Sequence, residues 1–107
     1  MTLRFHPQAQ DEFEESVAYY DAAREGLGLQ FRDAVRQSLD RVTAAPEIGE
    51  ARGVTRRLPV NGFPYHVVYR ATLAEIVVIA LAHHRRRPGY WRRPALPGVG
   101  THARHRP

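Results

Sequence analysis

FPYHVVYRATLAEIVVIALAHHRRRPGYW, residues Phe63 to Trp91, holds the longest apolar run in the chain and its densest cluster of groups able to do chemistry. Within it, Glu75 to Ala82 (EIVVIALA) is apolar at nearly every position and rich in β-branched residues, the composition of a strand covered on both faces. Ahead of it, Tyr65 to Arg70 (YHVVYR) has the length and content of an antiparallel partner, and Ala71 to Ala74 suffices to reverse the chain between them. Working outward, Val54 to Val60 (VTRRLPV) reads as a third strand, joined to the hairpin through the turn signal Asn61-Gly62. A meander from Val54 to Ala82 follows. On the other side, His83, His84, Arg85, Arg86, Arg87, Pro88, Gly89, Tyr90 and Trp91 leave the central strand at its exit, a place where functional side chains collect.

The first half of the chain is helical by its periodicity. Thr2 to His6 is a short strand available to the sheet edge, and Pro7 presets the φ of a first helical turn. Ala9, Phe13, Val17 and Tyr20 form an apolar stripe at helical spacing on a helix from Pro7 to about Arg24. Asp11, Glu12, Glu14 and Glu15 lie toward its N-terminal end, where the dipole favours anions, and are read as a solvated outer face. Gly26-Leu27-Gly28 permits a reversal. A second helix, marked by Phe31, Val35, Leu39 and Val42, then runs to Ala45 and Pro46. Pro46 to Gly53 (PEIGEARG) is a loop by composition. The expected fold is α+β: an N-terminal strand and an antiparallel helical hairpin packed on a small antiparallel sheet, in one domain over residues 1–92. Residues 93–107, rich in proline, arginine and histidine, are expected to form a flexible tail.

The composition narrows the classes of function. A chain of 107 residues has room for one core. Its apolar runs fall well short of the roughly 20 residues of a membrane helix. The N-terminus has no apolar signal region and there is no cysteine, so a cytoplasmic protein without membrane association is expected. The net charge of +5 conceals a division: residues 1–50 carry five Arg against ten Asp and Glu, while residues 51–107 carry eleven Arg against Glu75 alone. The second half is built to meet an anionic partner, nucleic acid or an acidic protein segment. All sixteen basic side chains are Arg, a uniformity that a GC-rich coding bias explains, so only the placement of the charge is informative.

The order of strand, helical hairpin and meander carries Arg56-Arg57 before the turn, Phe63-Pro-Tyr65 and Val67-Val-Tyr69 in the hairpin, and a close of His83-x-x-Arg86-x-Pro88-x-Tyr90-Trp91. With Leu27-Gly28, Phe31 and Pro46, this pattern resembles the RelE/ParE superfamily of bacterial type II toxins, over roughly residues 3 to 92. The resemblance implies a plasmid-stabilisation type toxin, with no cofactor, made alongside a cognate antitoxin that blocks it with an acidic, amphipathic segment. An exposed sheet edge and a helical groove suit such a segment, and Arg56, Arg57, Arg70, Arg85, Arg87 and Trp91 are the candidate contacts with antitoxin or target. Toxins of this superfamily either poison DNA gyrase, as in the ParE branch, or cleave mRNA on the ribosome as metal-independent endoribonucleases, as in the RelE branch.

Metal-free ribonuclease chemistry needs a base for the 2′-hydroxyl, a cation for the phosphorane and a proton donor for the leaving oxygen. His66, His84, Arg86 and Tyr90 are the candidates. On the RelE pattern, the phosphate-holding arginine falls at His66, the proton-donating arginine at His84 and the stacking tyrosine at Tyr90. Both arginines are replaced by histidine, whereas the long uninterrupted helical hairpin matches the ParE branch. Inhibition of DNA gyrase is therefore the favoured reading, ribosome-dependent mRNA cleavage the alternative, and a stand-alone nucleic-acid-binding module a second alternative. A metal hydrolase lacks the HExxH or spaced histidine and carboxylate set it would need. Counting alternation through the hairpin places His84 on the face of Tyr65, and His83 on the face of His66. Trp91 is expected to pack on the helical hairpin, and Arg86 to pair with an acid of the first helix such as Glu14 or Glu15.

Overall fold

The computed structural model describes residues 2–86 and 89–92. In chain order they form β1 (Thr2–Phe5), α1 (Pro7–Ala23), α2 (Leu27–Ala44), β2 (Glu50–Arg52), β3 (Thr55–Pro59), β4 (Tyr65–Ala71), β5 (Glu75–His83) and a 3₁₀ turn (Tyr90–Arg92). The strands make one sheet in the order β1-β5-β4-β3-β2. Its meander is antiparallel, but β1 pairs with β5 in parallel, Thr2 opposite Glu75 and Phe5 opposite Val78, so the sheet is mixed rather than wholly antiparallel. The tail expected over residues 93–107 lies outside the described residues.

Both helices begin where local chemistry supplies partners for their free N–H groups. Pro7 opens α1, and His6 Nδ1 accepts the Gln8 N–H at 3.2 Å. For α2 the cap comes from the preceding helix: Asp21 Oδ1 accepts the N–H groups of both Gly26 and Gly28, at 3.2 and 3.1 Å. The reversal needs glycine twice, because Gly26 has φ 87° and a Cβ on Gly28 would meet the Val17 carbonyl oxygen at 2.6 Å. The facing stripes close on one side of the sheet around Phe31. Its ring lies 5.0 Å from those of Tyr20 and Tyr65 and 5.1 Å from that of Phe63, and the phenol of Tyr20, pushed up to about 12 chiefly by burial, stays protonated.

The segment expected as a loop over residues 46–53 contains β2, whose three residues are all exposed. No apolar pattern announces such a strand. It is placed from beneath by Tyr69, fully buried on β4, whose hydroxyl donates to the Pro46 carbonyl at 2.7 Å and accepts the Gly49 N–H at 2.9 Å. Arg56 Nη1 adds bonds to the carbonyls of Glu47 and Gly49. With the turn so pinned, Glu50 to Arg52 meets β3 in register.

A bulge divides the central hairpin. Ala71 to Tyr69 pair with Ile76 to Val78, then Val68 pairs with Ala80, which leaves Ile79 without an opposite residue. An extra residue reverses the alternation of one strand relative to the other. Ile76 and Val78 therefore share the helix-covered face with Leu81, while Ala80 and Ala82 turn to the other face with Val68. On that second face the cluster is covered by Tyr90 and Trp91. Trp91 thus packs on the side of the sheet away from the helical hairpin, contrary to expectation.

Candidate functional site

The bulge decides which histidines meet. Tyr65 lies opposite His83, their rings 5.0 Å apart, while His66 stacks with His84 at 5.4 Å and an interplanar angle of 25°. The pairing expected from simple alternation is corrected on both counts, since that count carried no extra residue at Ile79.

His66 and His84 line a groove of about 560 Å³ on the open face of the sheet, together with Arg57, Glu50, Ile48 and Pro59. Glu50 Oε1 accepts from Arg57 Nε at 3.2 Å and lies 3.5 Å from Arg52 Nη2. The Arg57 bond, with the charge of Arg52 behind it, holds the Glu50 carboxyl below its ordinary range. Burial, then the charges of Arg57, His84 and Arg52, depress His66 to about 4, so its imidazole is neutral at physiological pH.

Arg86 and Tyr90 belong to a different groove, of about 570 Å³, between α1 and the upper part of β5. Because β1 stops opposite Val78, β5 beyond it has no strand neighbour on that side among the described residues. Glu12 of α1 fills the place of one. Its Oε1 accepts the Leu81 N–H at 2.9 Å and its Oε2 accepts the Tyr90 hydroxyl. Burial raises the Glu12 carboxyl above its usual value, against the lowering effect of those bonds and of Arg86. The Arg86 guanidinium sits over the Tyr90 ring, 3.8 Å from its centre. Arg86 is thereby directed to Tyr90 and Glu12 rather than to Glu14 or Glu15. His83 lines the same groove, its imidazole held below the ordinary range by burial and then by Arg85 and His84.

The four candidates for catalysis thus fall into two pairs, His66 with His84 and Arg86 with Tyr90, in two grooves. Among the candidate contacts, Arg56 is turned to the carbonyls of Glu47 and Gly49, Arg57 is paired with Glu50, and Arg70 and Arg85 are exposed. Arg87 lies outside the described residues. Glu12 is the site residue that the sequence reading assigned to solvent. A signal for it existed: Ala9, Glu12 and Ser16 form one ridge of α1 at spacings of three and four, and both its neighbours are buried. Among the described residues no three His, Cys, Asp or Glu side chains gather as they would around a metal, and no helix is long and apolar enough to cross a membrane.

Comparison with known proteins places this geometry. Residues 3–88 match the family described as the ParE toxin of the type II toxin–antitoxin system, parDE. The fold is similar to that of a solved structure described as "Chromosomal ParDE TA system from P. aeruginosa", with a TM-score of 0.68 and 15% identity over 78% of this chain and 95% of that one. No curated protein matches the chain significantly. Since the match runs from the first strand past the end of β5 and takes in both helices, the chain belongs to the ParE toxin family of type II toxin–antitoxin systems.

Proposed function

We propose that this toxin arrests growth by binding and inhibiting DNA gyrase, and that a cognate antitoxin neutralises it. The observation that carries the choice of gyrase over mRNA is the division of the nuclease candidates. His66 and His84 stand in one groove, whereas Tyr90 is bonded to Glu12 and stacked under Arg86 in another. Transesterification requires base, cation and proton donor around one phosphate. A protein whose action is binding has no such requirement.

The groove between α1 and β5 is the proposed seat of the antitoxin. It offers the apolar faces of Tyr19, Tyr20 and Leu81 and the cations Arg85 and Arg86, a combination that fits an amphipathic segment with acidic side chains. The test is plasmid supercoiling by gyrase with the purified toxin, run beside an mRNA cleavage assay in a translating extract. The expected result is loss of supercoiling, restored by excess antitoxin, with the mRNA intact. Cleaved mRNA with supercoiling unaffected would reverse the assignment.

A further inference from the structure

The groove on the open face of the sheet has no part in the gyrase reading, yet its chemistry is specific. Arg57 and Arg52 share the single carboxylate of Glu50, leaving the cluster with an excess positive charge. Two imidazoles stand beside it, one above the other. Ile48 and Pro59 supply an apolar wall, and the space of about 560 Å³ lies within the range of small-ligand sites. A guanidinium offers a fork matched to phosphate oxygens, and flat imidazole faces accept a stacked base. His84 is exposed and lines the groove, so its imidazole can be reached from solvent. Bases within a duplex have their faces covered by their neighbours and could not reach it.

We propose that this groove binds a nucleotide with an unpaired base, its phosphate on Arg57 and its base against the His66–His84 stack. The ligand is either a free nucleotide or a residue of a single strand. Glu50 competes for Arg57, but its side chain is 62% exposed and free to swing aside when phosphate arrives. The positive surroundings that depress His66 would be offset by the incoming anion, so binding should draw a proton onto His66 as pH is lowered.

The test uses the full chain and fluorescence anisotropy, with a labelled short single-stranded oligonucleotide, the same sequence as a duplex, and AMP as competitor. Arg57→Gln and Glu50→Gln both break the Arg57–Glu50 pair, and Glu50→Gln also releases Arg52, but their effects on binding should be opposite. Arg57→Gln is expected to weaken single-strand binding about tenfold or more and Glu50→Gln to tighten it. His84→Gln should weaken it severalfold, and the His66 pKa followed by NMR should rise from about 4 in the bound state. Competition by AMP would identify a free nucleotide as a sufficient ligand; binding that AMP leaves untouched would assign the groove to a strand. Equal affinity of wild type, Arg57→Gln and His84→Gln, a duplex bound as tightly as the single strand, or no binding of any probe would overturn the proposal.

Discussion

Glu12 combines two opposed demands. Its oxygens complete the hydrogen bonding of the β5 edge and of Tyr90, yet burial disfavours its charge. Replacing it by Ala leaves the Leu81 N–H and the Tyr90 hydroxyl without it, and a loss of about 1–3 kcal/mol in stability is expected in denaturant unfolding. Glu12→Gln keeps an acceptor and removes the charge. Because the folded pKa of Glu12 is raised, its favourable contribution is present below the unfolded pKa and lost as pH rises through the folded one. Glu12→Gln should therefore gain on wild type as pH rises toward neutrality. His66 has the opposite sign. Its folded pKa of about 4 lies below its ordinary 6.5, so stability is intact above the ordinary value and declines as pH falls through the folded one. Discounted for its partial exposure, the effect is about 1 kcal/mol, and melting curves of His66→Gln should lack that decline. The residue types at these positions were legible in the sequence, but their environments were not. Glu12 looks like any acid near a helix start until β5 is placed beside it.

At the scale of elements, the helical hairpin and the three long strands were legible because each buries a periodic apolar stripe: Phe13 and Val17 on α1, Phe31 and Val35 on α2, and both faces of β5. What escaped has no such stripe. β2 is fixed by the hydroxyl of Tyr69 and the guanidinium of Arg56, long-range contacts between polar groups. The Ile79 bulge lies in an unbroken apolar run where every register is equally hydrophobic, and it alone decides that His66 meets His84. Tyr69→Phe, which leaves the Gly49 N–H and Pro46 carbonyl unpartnered, is expected to cost about 1–3 kcal/mol in chemical denaturation and to speed amide exchange in β2 first. Gly28→Ala forces a Cβ to within 2.6 Å of the Val17 carbonyl and should destabilise the hairpin by about 1–3 kcal/mol. An unchanged midpoint in either variant would contradict the corresponding contact.

For the whole molecule, the division between an acidic first half and a basic second half is the feature that the fold converts into surfaces. Arg57 of β3, with Arg52 of β2 on the same Glu50 carboxylate, stands on the open face beside His66 and His84, and Arg85 and Arg86 after β5 line the groove against α1. The central proposal is that this ParE-family toxin acts by engaging gyrase and not by cutting RNA, and it is supported by the separation of His66 and His84 from Arg86 and Tyr90. The most direct measurement is gyrase supercoiling in the presence of wild type and of the double variant His66→Gln, His84→Gln, with thermal unfolding as a check that both are folded. Equal inhibition by the two proteins is the predicted result, because the proposed gyrase binding asks no acid or base chemistry of either histidine. No inhibition by wild type, together with mRNA cleavage that the double variant abolishes, would contradict the account.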